Sequence, residues 1–137
     1  MKVLVDTNVL LDFLCKRIPF CADAESVFMA GLKHKIELYI CGISFVNAIY
    51  TARKYGVDKS ACINSLKGLL TFCEVSDISK DIIQNSLNSN WKDLEDAVQY
   101  YSGLSSGIDC VVTRDSKGFL LSGVCVYTPR ELLDAIE

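Results

Sequence analysis

At 137 residues, half of them apolar, the chain has the size of a single domain spanning 1–137 and can bury roughly two-thirds of the surface its unfolded form exposes. A formal net charge of −3 lacks the basic footprint of a general nucleic-acid binder, without excluding a nuclease whose acidic metal site offsets basic residues elsewhere. Seven cysteines placed singly, with no C-x-x-C pair, read as reduced thiols of a cytoplasmic protein and argue against zinc, and no segment has the length or pattern of a membrane span or a signal peptide.

In chain order, Val3-Leu4-Val5 is an apolar run that stops on Asp6, the pattern of a central parallel strand with a carboxylate at its carboxyl end. Asn8 to Leu14 follows as a short helix, and Pro19 lies near the start of a second, in which Ala24, Val27, Phe28 and Leu32 recur at helical spacing. Ile36 to Cys41 is the next strand. Phe45 to Lys54 reads as a helix closed by Gly56, and Asp58 caps another with Cys62, Leu66, Leu69 and Leu70 on one face. A brief strand at Glu74 to Ser76 and a helix near Ser79 to Leu87 precede an amphipathic helix, Leu94 to Ser105, with the stripe Leu94, Ala97, Val98, Tyr101 and Leu104. Gly107 ends that helix before the strand Asp109 to Thr113. Val124 to Tyr127 is the last strand, and Thr128-Pro129-Arg130-Glu131 supplies a capping box with proline at the first helical position. Strands alternating with helices imply an α/β fold, a three-layer α/β/α sandwich around a mainly parallel sheet of four to five strands.

The acids fall at one edge of that sheet. Asp6 ends the first strand, Asp115 follows the strand through Thr113 by two residues, and Asp93, Glu95 and Asp96 cluster at the start of a helix. If the first and fourth strands are neighbours, their ends lie about 4.8 Å apart, close enough for Asp6 and Asp115 to share an ion. Two bare carboxylates about 4 Å apart repel by roughly 4 kcal/mol at an effective dielectric near 20, so such a cluster needs a cation. Oxygen-only ligands point to Mg2+ or Mn2+, and the chemistry such an ion favours is phosphodiester hydrolysis. Asp93 and Glu95 also suit a helix start, as cap and dipole complement. Asp12, Asp23 and Glu25 read as solvated helix faces, and His34, flanked by lysines, as an exposed loop residue. Lys16, Arg17, Arg53, Lys54, Arg114 and Lys117 are candidate phosphate contacts.

Three blocks, Val-Asp-Thr-Asn-Val-Leu-Leu-Asp at 5 to 12, Leu-Glu-Asp-Ala-Val-Gln-Tyr-Tyr at 94 to 101 and Val-Val-Thr-Arg-Asp-Ser-Lys-Gly-Phe at 111 to 119, stand in the order of the signature blocks of a known family. With them the chain resembles the PIN domain family along essentially its whole length, in the branch that includes many bacterial toxin nucleases of toxin–antitoxin pairs. The resemblance implies a parallel sheet with the first strand between the second and fourth, and a divalent-metal ribonuclease. It carries the family's first, third and fourth acids onto Asp6, Asp96 and Asp115, with Asp93 as an accessory metal ligand and Thr113 and Asn8 as polar supports. It further implies a homodimer, an RNA substrate and an antitoxin whose tail occupies the acidic cleft.

Two positions depart from that pattern. Counting back from Arg53-Lys54-Tyr55-Gly56 puts Asn47 where the family usually has its second acid, a glutamate, and an amide offers a carbonyl oxygen to a metal but no charge. Gly118 stands where an aspartate often precedes the phenylalanine, here Phe119. The alternative function is therefore a degenerate PIN domain that binds RNA or a partner protein without cleavage. A haloacid-dehalogenase-like phosphatase would need a second aspartate where Asn8 stands, and a receiver domain would need an acidic pair after the first strand.

Overall fold

Five strands, β1 (Lys2–Val5), β2 (Glu37–Cys41), β3 (Glu74–Ser76), β4 (Cys110–Val112) and β5 (Cys125–Tyr127), form one sheet in the order β3-β2-β1-β4-β5, and every pairing is parallel. This computed structural model describes residues 1–137. The central position of β1 follows from its composition: Val3, Leu4 and Val5 are all fully buried, which only a strand covered on both faces requires. Val3 and Val5 pack into the large core built with α1 (Thr7–Leu14), α2 (Cys21–Leu32), α3 (Gly42–Lys54), α4 (Lys59–Leu70) and α7 (Pro129–Ala135). Leu4 turns the other way, toward Tyr100 and Ile108, on the face covered by α6 (Leu94–Ser105). The short α5 (Lys80–Leu87) packs beside α6 through Ile82 and Val98. The three expected layers are thus present, and no helix is long and apolar enough to cross a membrane.

Local signals set the helix ends. Asp58, Ser79, Asp93 and Thr128 each accept a hydrogen bond from a backbone N–H in the first turn, and Thr128 with Glu131 completes the capping box. Gly56 and Gly107 follow α3 and α6 with positive φ, the conformation a helix terminus asks of glycine.

Three expectations need correction. Helix α3 starts at Gly42, directly after β2, rather than at Phe45. In α6 the buried side includes Gln99, Tyr100 and Ser102, whereas Leu94 and Leu104 are exposed; polar partners on the sheet, not hydrophobicity alone, decide which face turns inward. Ser102, for example, donates to the Asp77 carbonyl at 2.7 Å and lies 2.8 Å from the Ser76 hydroxyl. Asp12 is the third correction. It is only 1% exposed, because Arg17 and Arg114 both reach it and replace the water a solvated carboxylate would have.

Candidate active site

The order β3-β2-β1-β4-β5 reverses direction at β1, so the carboxyl ends of β1 and β4 flank a topological switch point, the place where open parallel sheets bind ligands. Register puts Val5 beside Val112, and the Asp6 N–H donates to the Val112 carbonyl at 3.0 Å. Asp6 and Thr113 therefore leave their strands side by side. The Thr113 hydroxyl donates to Asp6 Oδ2 at 2.6 Å and accepts from the Asp115 N–H at 2.9 Å, tying the two acid-bearing loops together through one side chain. Asn8 donates its amide to the same hydroxyl at 3.4 Å and accepts from the Arg114 N–H at 3.4 Å.

Helix α6 supplies the opposite wall. Its fully buried Gln99 donates Nε2 to Asp6 Oδ1 at 3.0 Å and accepts from the Thr7 N–H at 3.2 Å. Both oxygens of Asp6 are thus held by neutral donors, and the carboxylate stands at a helix start without making a cap hydrogen bond. Thr7 donates its hydroxyl to Glu95 Oε1 at 3.0 Å and lies 2.7 Å from the Ser44 hydroxyl of α3. Asp93 caps α6 by accepting the Asp96 N–H at 3.0 Å. No buried side-chain nitrogen or oxygen lacks a partner, so the network is closed.

Around these groups lies an open cleft of about 370 Å³ that includes Asp6, Asp93, Glu95, Asp96, Asp115 and Asn47. Burial raises the pKa of Asp6 despite its two hydrogen-bond donors. Asp96 is pushed up to about 7, first by burial and then by the negative charges of Asp6, Asp93, Glu95 and Asp115. An ideal Cβ on Gly118 would sit 2.7 Å from Asp96 Oδ2 and 3.3 Å from Asp115 Oδ2, so glycine leaves these two carboxylates facing one gap. The acids do not close up into a ready set of three ligands. Their chemistry nevertheless fits a hard divalent cation: all donors are oxygen, and a cation would relieve the mutual repulsion felt at Asp96.

Every expected acid, with Asn47 and Asn8, therefore lines this cleft, as do Arg17 and Arg114. Lys16 and Arg53 are exposed and lie outside the cleft's lining, and Lys117 borders a neighbouring cleft instead. The sequence reading has no place for Gln99 and Ser44, takes Asp12 as solvated, and counts Glu95 in the acidic cluster with a helix-dipole role as its alternative. Gln99 had a signal: it lies three residues after Asp96, one helical turn along the same wall.

Residues 2–117 match the PIN domain family. Ribonuclease VapC1 of Aquifex aeolicus (strain VF5) is 24% identical over 138 residues, covering 97% of this chain and 94% of that protein. Among solved structures, a toxin-antitoxin complex from Klebsiella pneumoniae aligns with a TM-score of 0.67 and 25% identity over 93% of this chain and 97% of that one. The sarcin-ricin loop cleaving toxin VapC20 of Mycobacterium tuberculosis shares the fold at a TM-score of 0.64 and 11% identity, over 80% of this chain and 86% of that one.

Proposed function

The chain belongs to the PIN domain family, and from that premise we propose that it is a divalent-metal-dependent endoribonuclease, the toxin of a toxin–antitoxin pair. The observation that carries the reading is the meeting of Asp6, Asp96 and Asp115 in one cleft at the switch point, with Glu95 and Asp93 beside them. The ribonuclease relative and the toxin-antitoxin structure support it.

Asp6, Asp96 and Asp115, with Asp93 as accessory, would hold Mg2+ or Mn2+. Bound there, the ion would supply an activated water and neutralise charge building on a phosphoryl oxygen. Thr113 and Gln99 orient Asp6, while Asn8 holds the Thr113 loop against α1. Arg17 and Arg114 offer cations to the RNA backbone from the cleft's rim, where phosphate contacts position the chain without reading its sequence. An antitoxin, a homodimeric assembly and a cytoplasmic setting complete the proposal, the last supported by seven free thiols.

The test is RNA degradation by the purified protein with Mg2+ or Mn2+ and its arrest by EDTA, alongside melting curves with and without metal. Metal should raise the melting temperature, because a ligand selective for the folded state stabilises it by mass action. Inertness toward RNA together with an unmoved melting curve would refute the reading. Metal binding and RNA binding without cleavage would favour the non-cutting alternative, which Asn47 in the cleft wall supports.

A further inference from the structure

A second cleft, about 740 Å³ and larger than the acidic one, opens directly beside it and shares Asp93, Asp96 and Asp115 as a common wall. Its character is different. Trp91 lines it, braced against Tyr100 at a centroid separation of 4.8 Å and edge-on to Phe119 at 5.5 Å. Leu120 and Leu121, 81% and 56% exposed, stand at its edge with no core to fill. Lys92 and Lys117 border the same space, and Asn90 adds an amide.

We propose that this cleft seats a nucleobase of a single-stranded RNA substrate, the one adjoining the phosphate that a divalent cation would hold at the carboxylates. The proposal rests on the ribonuclease reading and adds a binding subsite to it. Continuity decides the occupant: a polynucleotide whose phosphate lies at Asp96 and Asp115 must place a neighbouring nucleotide over the shared wall. Chemistry agrees, since an aromatic ring and exposed aliphatic side chains match the flat apolar face of an unpaired base. Lys92 and Lys117 complement the flanking phosphates, which the five carboxylates next door would otherwise repel. A volume in the range of small-molecule pockets suits one nucleotide rather than a helix.

The chain has a single tryptophan, so its emission reports on this cleft alone. A mixed-sequence single-stranded hexaribonucleotide is titrated in EDTA at low salt, so that cleavage does not consume the probe, with tripolyphosphate as the charge-only control. RNA should quench Trp91 and tripolyphosphate should not. The exposed pair Leu120→Ala and Leu121→Ala together should weaken RNA binding roughly fivefold or more without altering the melting curve. RNA that binds by fluorescence anisotropy, or is cut, with Trp91 silent would overturn the subsite and leave the ribonuclease reading standing. RNA neither bound nor cut would bring down that reading and the subsite with it. Quenching by a basic, apolar peptide but not by RNA would assign the cleft to a protein partner and equally overturn the proposal.

Discussion

Asp12 and Arg114 lie 102 residues apart in sequence and meet in a two-pronged pair, with Arg114 Nε 2.5 Å from Asp12 Oδ2 and Nη2 3.2 Å from Oδ1. Arg17 shares Oδ1 at 2.7 Å, so one buried carboxylate holds two arginines from different loops. Each arginine also lies over an aromatic ring, Arg114 3.8 Å from the Phe20 centroid and Arg17 5.6 Å from that of Tyr55. The acidic cleft thereby acquires a fixed cationic rim.

Asp12→Asn should therefore destabilise the protein, contrary to the solvated-face reading of that position. Hydrogen bonds to a charged group are worth about 1.5–3 kcal/mol, and the partly exposed arginines regain some hydration, so a loss of roughly 2 kcal/mol is expected. Urea denaturation measures it as a lower midpoint at constant slope. An unchanged midpoint would show that the buried pair contributes nothing.

Asp6→Asn should abolish RNA cleavage and leave metal-free stability within about 1 kcal/mol of the parent. The amide keeps the carboxylate's shape and removes a charge that burial already disfavours, although one of its two donors must turn to suit the new NH2. Cleavage assays and thermal melts read the two effects separately. Near-normal cleavage would take Asp6 out of the mechanism.

Much of this site is legible in the sequence because the chain marks it twice, by strand ends and by helix caps. Val3-Leu4-Val5 is a short apolar run that stops on an acid, so Asp6 is placed at a strand end by that break, and the cap at Asp93 with Gly107 beyond fixes α6 within a residue. The spacing from Asp96 puts Gln99 on the right wall, but the partners that bury Gln99 and Asp12 stay hidden for a shared reason. A polar side chain on a helix turns inward only when a partner meets it, and the partners that decide it, Asp6 for Gln99 and Arg114 for Asp12, are about a hundred residues away, Arg17 alone being near Asp12 in sequence. Local periodicity carries no record of such pairings.

Stability of the metal-free protein should fall as pH rises from about 4 to about 7. Folding raises the Asp96 pKa from 3.8 to about 7, so in that window the folded state retains a proton the unfolded chain has released, and the linkage slope is negative. Melting temperatures in chelator should decline across the window, and Asp96→Asn should flatten the decline. A flat profile in the parent would mean that Asp96 ionises without cost.

Gly118→Ala tests the gap between Asp96 and Asp115. A methyl group 2.7 Å from Asp96 Oδ2 forces that carboxylate aside, while the backbone, which has ordinary φ here, is unstrained. The fold should survive with a loss of about 1 kcal/mol or less, and metal affinity should drop roughly tenfold, since a misplacement near 1 Å is costly at a reacting centre. Calorimetric titration with Mn2+ measures it. Unaltered affinity would place the ion away from this gap.

Asn47 decides how strongly the cleft attracts a cation. It lines the same cleft as Asp6, Asp96 and Asp115, at the position where relatives are expected to carry a glutamate, so the natural cleft carries one negative charge fewer than a glutamate there would give. A weaker negative field means less repulsion among the acids when no metal is bound, and weaker attraction for the ion. Asn47→Glu restores the charge at nearly the same reach. It should tighten metal binding roughly tenfold, raise cleavage at limiting metal, and lower metal-free stability through added repulsion. Paired Mg2+ titrations of both proteins, read by calorimetry and by RNA cleavage, separate the two cases. If the titrations superimpose, the side chain at 47 does not face the ion. If only the glutamate form cuts, the natural protein is a binding domain that keeps the site's architecture without its turnover.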